Sequence, residues 1–251
     1  MPDSFAIIPT LNEERTIAQV IRKTLKHVDT LIIVDSSNDN TPQICRSFKK
    51  GLILLTAEKL GKGHAVRKGI REAMKFDPKN LVFLDGDGEK DAGCIPKLLE
   101  SLENHDFVIG RRNRMRSRTR LLLNKFSNLW VRIVTDYRVT DTNSGFFALK
   151  TDCIRKFRLR SIGFEIEMEM VLEAFRNNLT LTEVPVEVPE ISESKLSLKH
   201  MIEMIRFFDE WVLENIRIQK SLSKKIFLSV FCILGITFSG LFRLLTLKNY
   251  K

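Results

Sequence analysis

Apolar residues in the first 110 positions alternate between two spacings. Ser4–Pro9 (SFAIIP), Thr30–Asp35 (TLIIVD), Gly51–Thr56 (GLILLT), Leu81–Asp85 (LVFLD) and Phe107–Gly110 are short, almost continuously apolar runs of strand length. Between them the apolar positions recur at helical spacing, as Ile17, Val20, Ile21 and Leu25 do within 14–26. The same reading predicts helices over Lys62–Lys75 and around Pro96–Glu103, and takes Thr41–Pro42 as an N-cap with proline in the first helical position. Strands without polar alternation are covered on both faces. The β, α, β, α rhythm therefore predicts an α/β fold, a mostly parallel sheet with helices on both sides. Ligands of such sheets bind beyond the carboxyl ends of the strands.

The rhythm changes after Gly110. Arg111, Arg112, Arg114, Arg116, Arg118 and Arg120 crowd together, followed by a helix near Leu121–Val134 and by TDTNSGFFALK (Thr140–Lys150), where Asp141 precedes a tight Ser144–Gly145 turn. A helix over Glu165–Asn177 carries Glu165, Glu169 and Glu173 on one face, and a strand, Leu181–Val188, closes this part. Residues 198–218 form an amphipathic pattern that either lies in a membrane interface or packs on the sheet domain. Ile226–Leu247 is almost wholly apolar, with Lys224 and Lys225 before it and Arg243 near its far end. Roughly 20 such residues suffice to cross a bilayer, so a single C-terminal transmembrane helix is expected. The predicted division is a catalytic-type domain over 1–196, an amphipathic juxtamembrane helix over 197–221, and the span with a short tail over 222–251.

A formal net charge of +10 favours anionic partners. The arginine run has no interleaved aromatic residues and no accompanying nucleic-acid motif, so nucleic acid is not the expected partner. Arginine forks also grip phosphate bidentately. The four cysteines and four histidines are scattered without metal-ligand spacing, which fits a reduced, cytosol-facing protein without a zinc site. The sharpest chemistry is in DGDGE, where Asp85, Asp87 and Glu89 leave the fourth strand separated by glycines, Gly86 among them. Mg²⁺ or Mn²⁺ takes one or two carboxylates together with substrate phosphates, so this turn suits a metal–diphosphate. The first strand runs into PTLNEE, the second ends at Asp35 within VDSSNDNT, and the third leads to LGKG. Their joint placement on successive strand ends predicts a nucleotide held with its metal.

AIIPTLNEE, IVDSSNDNT, LGKGHAVRKGI, FLDGDGE, IGRR, DTNSGFFALK, GFEIEMEM and SESK, in this order, resemble glycosyltransferase family 2 over about residues 5–200. The resemblance is strongest to its dolichyl-phosphate (polyprenyl-phosphate) hexosyltransferase branch. It implies a GT-A (Rossmann-like) fold and inverting transfer of a hexose from a nucleotide sugar to a dolichyl or polyprenyl phosphate at a membrane. GDP-mannose is the first expectation for the donor, and UDP-glucose or a UDP-N-acetylhexosamine the alternative. By the same resemblance Pro9, Leu11, Glu13, Val34, Asp35, Ser36, Lys62 and Gly86 frame the donor, and Asp85 meets its ribose or sugar side. Asp87 and Glu89 hold the metal, and Asp85, Asp87 and Asp141 are the catalytic set. Arg111, Arg112, Arg120 and Lys195 are the candidates for the acceptor phosphate, with Glu169 nearby. The family commonly has Tyr at the position of Leu11, a second Asp at that of Ser36, and in mannosyl members Gln at that of Glu89. A nucleotidyltransferase would instead place a glycine- and arginine-rich loop after the first strand, and a non-enzymatic membrane-surface protein would leave DGDGE without a purpose.

Overall fold

The structure is a computed structural model that describes residues 3–113, 118–135, 137–188 and 198–215. Along the chain run β1 (Ser4–Thr10), α1 (Ile17–Thr24), β2 (Thr30–Asp35), α2 (Thr41–Arg46), β3 (Leu52–Thr56), α3 (Lys62–Ala73) and β4 (Asn80–Phe83). A 3-10 turn (Ala92–Cys94) enters α4 (Ile95–Ser101), followed by β5 (Phe107–Arg112), α5 (Arg118–Thr135), β6 (Phe147–Lys150), α6 (Thr151–Ile154), α7 (Ile166–Arg176) and β7 (Leu181–Val186). The strands form one seven-stranded sheet in the order β3-β2-β1-β4-β6-β5-β7.

β1, β2, β3 and β4 are mutually parallel where they pair, and β5 is parallel to β7. β6 is the exception, running antiparallel to both β4 and β5. Phe147, Ala148 and Leu149 are buried, so β6 reads as an apolar strand of either direction. β7 contains Pro185 and lies at the sheet edge, where the missing N–H removes no ladder bond. α2 begins at Thr41 with Asn40 at its cap position, one residue earlier than Thr41–Pro42 suggested. Asp39 Oδ1 takes the Thr41 N–H at 2.9 Å and does the capping work.

Two layers cover the sheet. Ile8, Leu31, Ile33 and Val82 pack in one cluster with Ile17, Val20 and Ile21 of α1 and Ile95 and Leu98 of α4. Ile7 points the other way, as strand alternation requires, and meets α3. A Cβ on Gly69 would fall 2.4 Å from Ile7 Cγ2, so α3 crosses β1 at a spacing only glycine permits. This contact holds α3, and the lysine at its start, against the carboxyl edge of the sheet.

The chain divides into two compact units, Met1–Ser194 and Lys195–Lys251. In the second, α8 (Leu198–Asn215) carries Met204, Phe207, Phe208, Trp211 and Val212 among its buried residues. Arg206 Nε lies 2.8 Å from Glu210 Oε1, one turn on. Among the described residues no helix is long and apolar enough to cross a membrane. Ile226–Leu247, where the sequence predicts a span, lies outside the described residues.

Candidate active site

β1 and β2 run in register to Thr10 and Asp35, with β4 beside them. Asp35 is buried and accepts from Thr10 Oγ1 at 2.8 Å and from Ser37 Oγ at 2.6 Å. Ser37 Oγ in turn receives the N–H of Asn12 at 2.7 Å, whose φ of 57° turns the chain after β1. Thr41 Oγ1 takes the Glu13 N–H at 2.9 Å, Thr16 Oγ1 donates to the Gly86 carbonyl at 2.8 Å, and Ser36 Oγ donates to the Glu58 carbonyl at 3.3 Å. These bonds lock the loops after β1, β2, β3 and β4 to one another. Pro9, Leu11, Glu13, Val34, Asp35, Ser36 and Gly86 are thereby gathered at one edge.

A knot of charges lies beside this frame. Lys62 Nζ, from the first turn of α3, is 2.5 Å from Asp85 Oδ1 and 2.5 Å from Glu167 Oε1 of α7. Lys90 Nζ approaches the other Asp85 oxygen at 2.6 Å. Burial would raise the Asp85 pKa, but the two ammonium groups hold it far below the usual carboxylate range. Burial likewise opposes the Lys62 charge and is overcome by Asp85 and Glu167, which keep the amine protonated. Gly145 backs the knot with φ +65°, and a Cβ there would stand 2.6 Å from Asp85 Oδ2 and 2.7 Å from Glu167 Oε1. The Ser144–Gly145 turn thus lets α3, β4 and α7 bring their charges together.

Arg112 is placed differently from the expectation that it grips a lipid phosphate. Its side chain is almost fully enclosed. Nε and Nη2 fork onto Asp141 at 2.8 and 2.6 Å, and Nη2 also donates to the Asn143 carbonyl at 2.9 Å. The Arg112 backbone N–H adds a third bond to Asp141 at 2.9 Å. Desolvation works against this guanidinium, but hydrogen bonding and charge from Asp141, with Glu89 and Glu167 behind, raise its pKa further. Asp141 is completely buried and accepts from Arg112. The Thr140 and Asp141 N–H groups both donate to Glu183 of β7, at 2.7 and 3.0 Å. Arg111, on the opposite face of β5, is exposed. The Arg120 side chain and Lys195 lie outside the described residues.

Glu169 is also enclosed, at 1 % exposure, and accepts backbone N–H groups from Arg160 and Ser161. Asp87 stays half-buried at the rim. Its Oδ1 takes the Glu89 N–H at 2.9 Å, and its other oxygen accepts no hydrogen bond among the described residues. Glu89 is buried, with Oε1 3.6 Å from Arg112 Nη1. Among the described residues no group of three His, Cys, Asp or Glu side chains is placed to hold a metal. Asp87 fits a divalent ion that draws its remaining ligands from a diphosphate, whereas Glu89 is turned to a guanidinium. The sequence marks the Gly145 turn but not its place against Asp85 and Glu167, and it marks neither Glu167 nor Lys90 as part of the site. Lys90 follows DGDGE directly, and an acidic turn with an adjacent lysine is the signal that could have found it.

The sheet order and the locked loops define an α/β fold with its candidate site beyond the carboxyl ends of the parallel strands. The chain belongs to glycosyl transferase family 2, whose sequence pattern matches residues 5–159, and it is a glycosyltransferase. It is 28% identical to a UDP-N-acetylglucosamine–dolichyl-phosphate N-acetylglucosaminyltransferase of Methanococcus voltae, over 73% of this chain and 84% of that protein. It is 28% identical to an undecaprenyl-phosphate mannosyltransferase of Micrococcus luteus, over 76% of this chain and 86% of that one. The fold is also that of glucosyl-3-phosphoglycerate synthase of Mycobacterium tuberculosis, solved with Mn²⁺, UDP and glucosyl-3-phosphoglycerate. That likeness has a TM-score of 0.68 and 20% identity, over 88% of this chain and 82% of the other.

Proposed function

We propose that this enzyme transfers a hexose from a nucleotide diphosphate sugar to a dolichyl or polyprenyl phosphate at a membrane surface, with the catalytic unit facing the cytosol. The Lys62–Asp85–Lys90 cluster beside the rim carboxylate of Asp87 carries this reading. A leaving nucleoside diphosphate gains negative charge as the sugar–phosphate bond breaks. A divalent metal, when bound, would supply Lewis-acid stabilisation of that charge. Asp87 would be its ligand from the chain. Lys62, held within ion-pair distance of Asp85 and Glu167, can transfer part of its charge interaction to the diphosphate, while Lys90, as enclosed as Arg112, keeps Asp85 ionised from behind. Pre-set donors of this kind stabilise developing charge without reorganisation. Asp85, fully ionised between the two lysines, is the group for the donor's ribose or sugar hydroxyls.

The acceptor phosphate is already ionised and needs no strong general base, so positioning is the main requirement. Exposed Arg111 is the arginine at the end of β5 that is available for it, and Arg120 and Lys195 stay candidates on the family resemblance alone. Asp141 and Arg112 act behind this surface as its support. GDP-mannose remains the first choice of donor, and the mannosyl relative favours it. The N-acetylglucosaminyl relative favours a UDP-sugar as the second reading. The test incubates full-length protein in membranes with dolichyl phosphate, Mn²⁺, and separately labelled GDP-mannose, UDP-glucose and UDP-N-acetylglucosamine. Label entering the lipid fraction from one donor identifies it, and no lipid-linked label from any of the three, with Mn²⁺ or Mg²⁺, overturns the proposal.

A further inference from the structure

Glu165, Glu169 and Glu173 stand at i, i+4 and i+8 on one face of α7 and at its entry. Like charges at this spacing repel on an isolated helix. Here every one of them meets backbone N–H groups of the segment just before the helix. Glu165 Oε1 accepts from Ile162 and Gly163 at 3.1 and 2.9 Å. Glu169 accepts from Arg160 and Ser161 at 2.8 and 3.0 Å, one bond to each oxygen. Glu173 Oε2 accepts from Arg158 at 2.8 Å and pairs with Arg176 at 2.6 Å.

The carbonyls of the same segment point at α3. Gly163 O and Ile162 O accept the Gly63 and His64 N–H groups, each at 3.1 Å, and Ser161 O accepts from Arg67 Nη1 at 2.6 Å. The first-turn N–H groups of a helix have no partner within the helix, and this segment supplies two. A Cβ on Gly61 would lie 2.5 Å from Ile162 O, and one on Gly63 2.4 Å from Ser161 O. The contact is therefore backbone on backbone, and Lys62 is the residue between the two glycines.

We propose that residues 158–163 form a strap, fastened by the α7 glutamates, that fixes the first turn of α3 and through it the place of Lys62, with Glu169 as its central positioning residue. Glu169 suits the role because both its oxygens are spent on adjacent amides in the middle of the strap. Burial raises its pKa, the Arg160 and Ser161 donors pull it back, and Glu173 adds to the rise. The consequence for catalysis rests on the reading of Lys62 as a diphosphate-facing residue. The mechanical coupling does not.

Amide hydrogen exchange on the full chain tests the coupling without any substrate. In Glu169→Gln one side-chain oxygen is replaced by an NH₂ facing an N–H. Exchange at Arg160 and Ser161 is expected to quicken, and with it exchange at Gly63 and His64, which Glu169 does not touch. Asp106→Asn, which loosens the far edge of the sheet, is expected to leave Gly63 and His64 unchanged. Gly63→Ala tests the link from the other side and serves if Glu169→Gln does not fold, because its Cβ pushes on Ser161 and should quicken exchange in the strap. Faster exchange in the strap of Glu169→Gln with Gly63 and His64 unmoved overturns the proposal, as does an unmoved strap in Gly63→Ala. A kinetic cycle with the active donor then tests the route. Glu169→Gln should lower kcat/KM by roughly 2- to 100-fold in the wild-type background, the usual range for coupled residues. It should have little further effect in Lys62→Met, and an undiminished effect there would show that Glu169 acts elsewhere.

Discussion

Arg112→Ala separates a buried brace from a phosphate grip. The substitution removes the two-pronged contact with Asp141 and the bond to the Asn143 carbonyl, and takes away the cation 3.6 Å from Glu89. Asp141 keeps the backbone N–H of residue 112, so one of its bonds survives. Removing one partner of a buried pair costs about 3–5 kcal/mol because the other charge is left uncompensated. At roughly 2–4 °C per kcal/mol for a domain of this size, the melting temperature should fall by about 6–20 °C. Arg112→Lys keeps a charge but not the planar fork, and should recover less than half of that loss. Thermal melting and urea unfolding of the purified full chain measure the effect, with donor and acceptor kinetics taken well below the mutant's melting temperature. A variant that melts within about 2 °C of wild type while its acceptor KM climbs steeply would refute the buried-pair argument and return Arg112 to the phosphate.

Gly145→Ala should weaken binding of UDP or GDP in titration calorimetry by 10-fold or more (about 1.4 kcal/mol), since its Cβ meets Asp85 and Glu167 and its φ of +65° disfavours any side chain. Asp87→Ala should abolish stimulation of transfer by Mn²⁺ with the melting temperature falling only by the little that the lost Glu89 N–H bond costs, and equal activity at limiting Mn²⁺ would remove Asp87 as a ligand. Asp106 has its pKa lowered from 3.8, first by the Thr180 N–H and against a smaller cost of burial, with Lys150 assisting. A lowered carboxylate stabilises the fold above its unfolded pKa and loses that contribution as pH falls through the folded value. Asp106→Ala should therefore be less stable at pH 7 by about 1–2 kcal/mol, from its hydrogen bonds, and the gap in urea midpoint should close below about pH 4.

The parts of this fold that follow one local rule were legible in the sequence. β2 spans the residues its apolar run marks, and α3 starts at Lys62 as its pattern suggests. β6 was not legible, neither its presence within Thr140–Lys150 nor its antiparallel course, because a four-residue strand buried on both faces carries no period that records either. Direction is set by the Gly145 turn and by which neighbours are free. The strand-end loops were found from composition alone, yet which of their carboxylates face a ligand was not. Asp87 sits at the rim, while Glu89, two residues on, is turned to Arg112. Arg111 and Arg112 look alike in an arginine run, and only the alternation of β5 puts one outside and the other inside. Glu167 stands between Glu165 and Glu169 in a helix crowded with acids. Its pairing with Lys62 joins residues 105 positions apart, a contact that no local pattern encodes.

The inserted β6 also sets the order in which the sheet can be completed during synthesis. β1, β2, β3 and β4 come from consecutive N-terminal segments and can pair as soon as they have emerged. The outer edge of β4 then has no partner until Phe147–Lys150 arrives, because β5 pairs with β6 and β7 but not with β4. At about 5–20 residues per second that delay is on the order of 3–15 s. For that interval the nascent chain presents an apolar strand edge of the kind that recruits other chains, which makes the time between β4 and β6 the window in which a chaperone would have most to do.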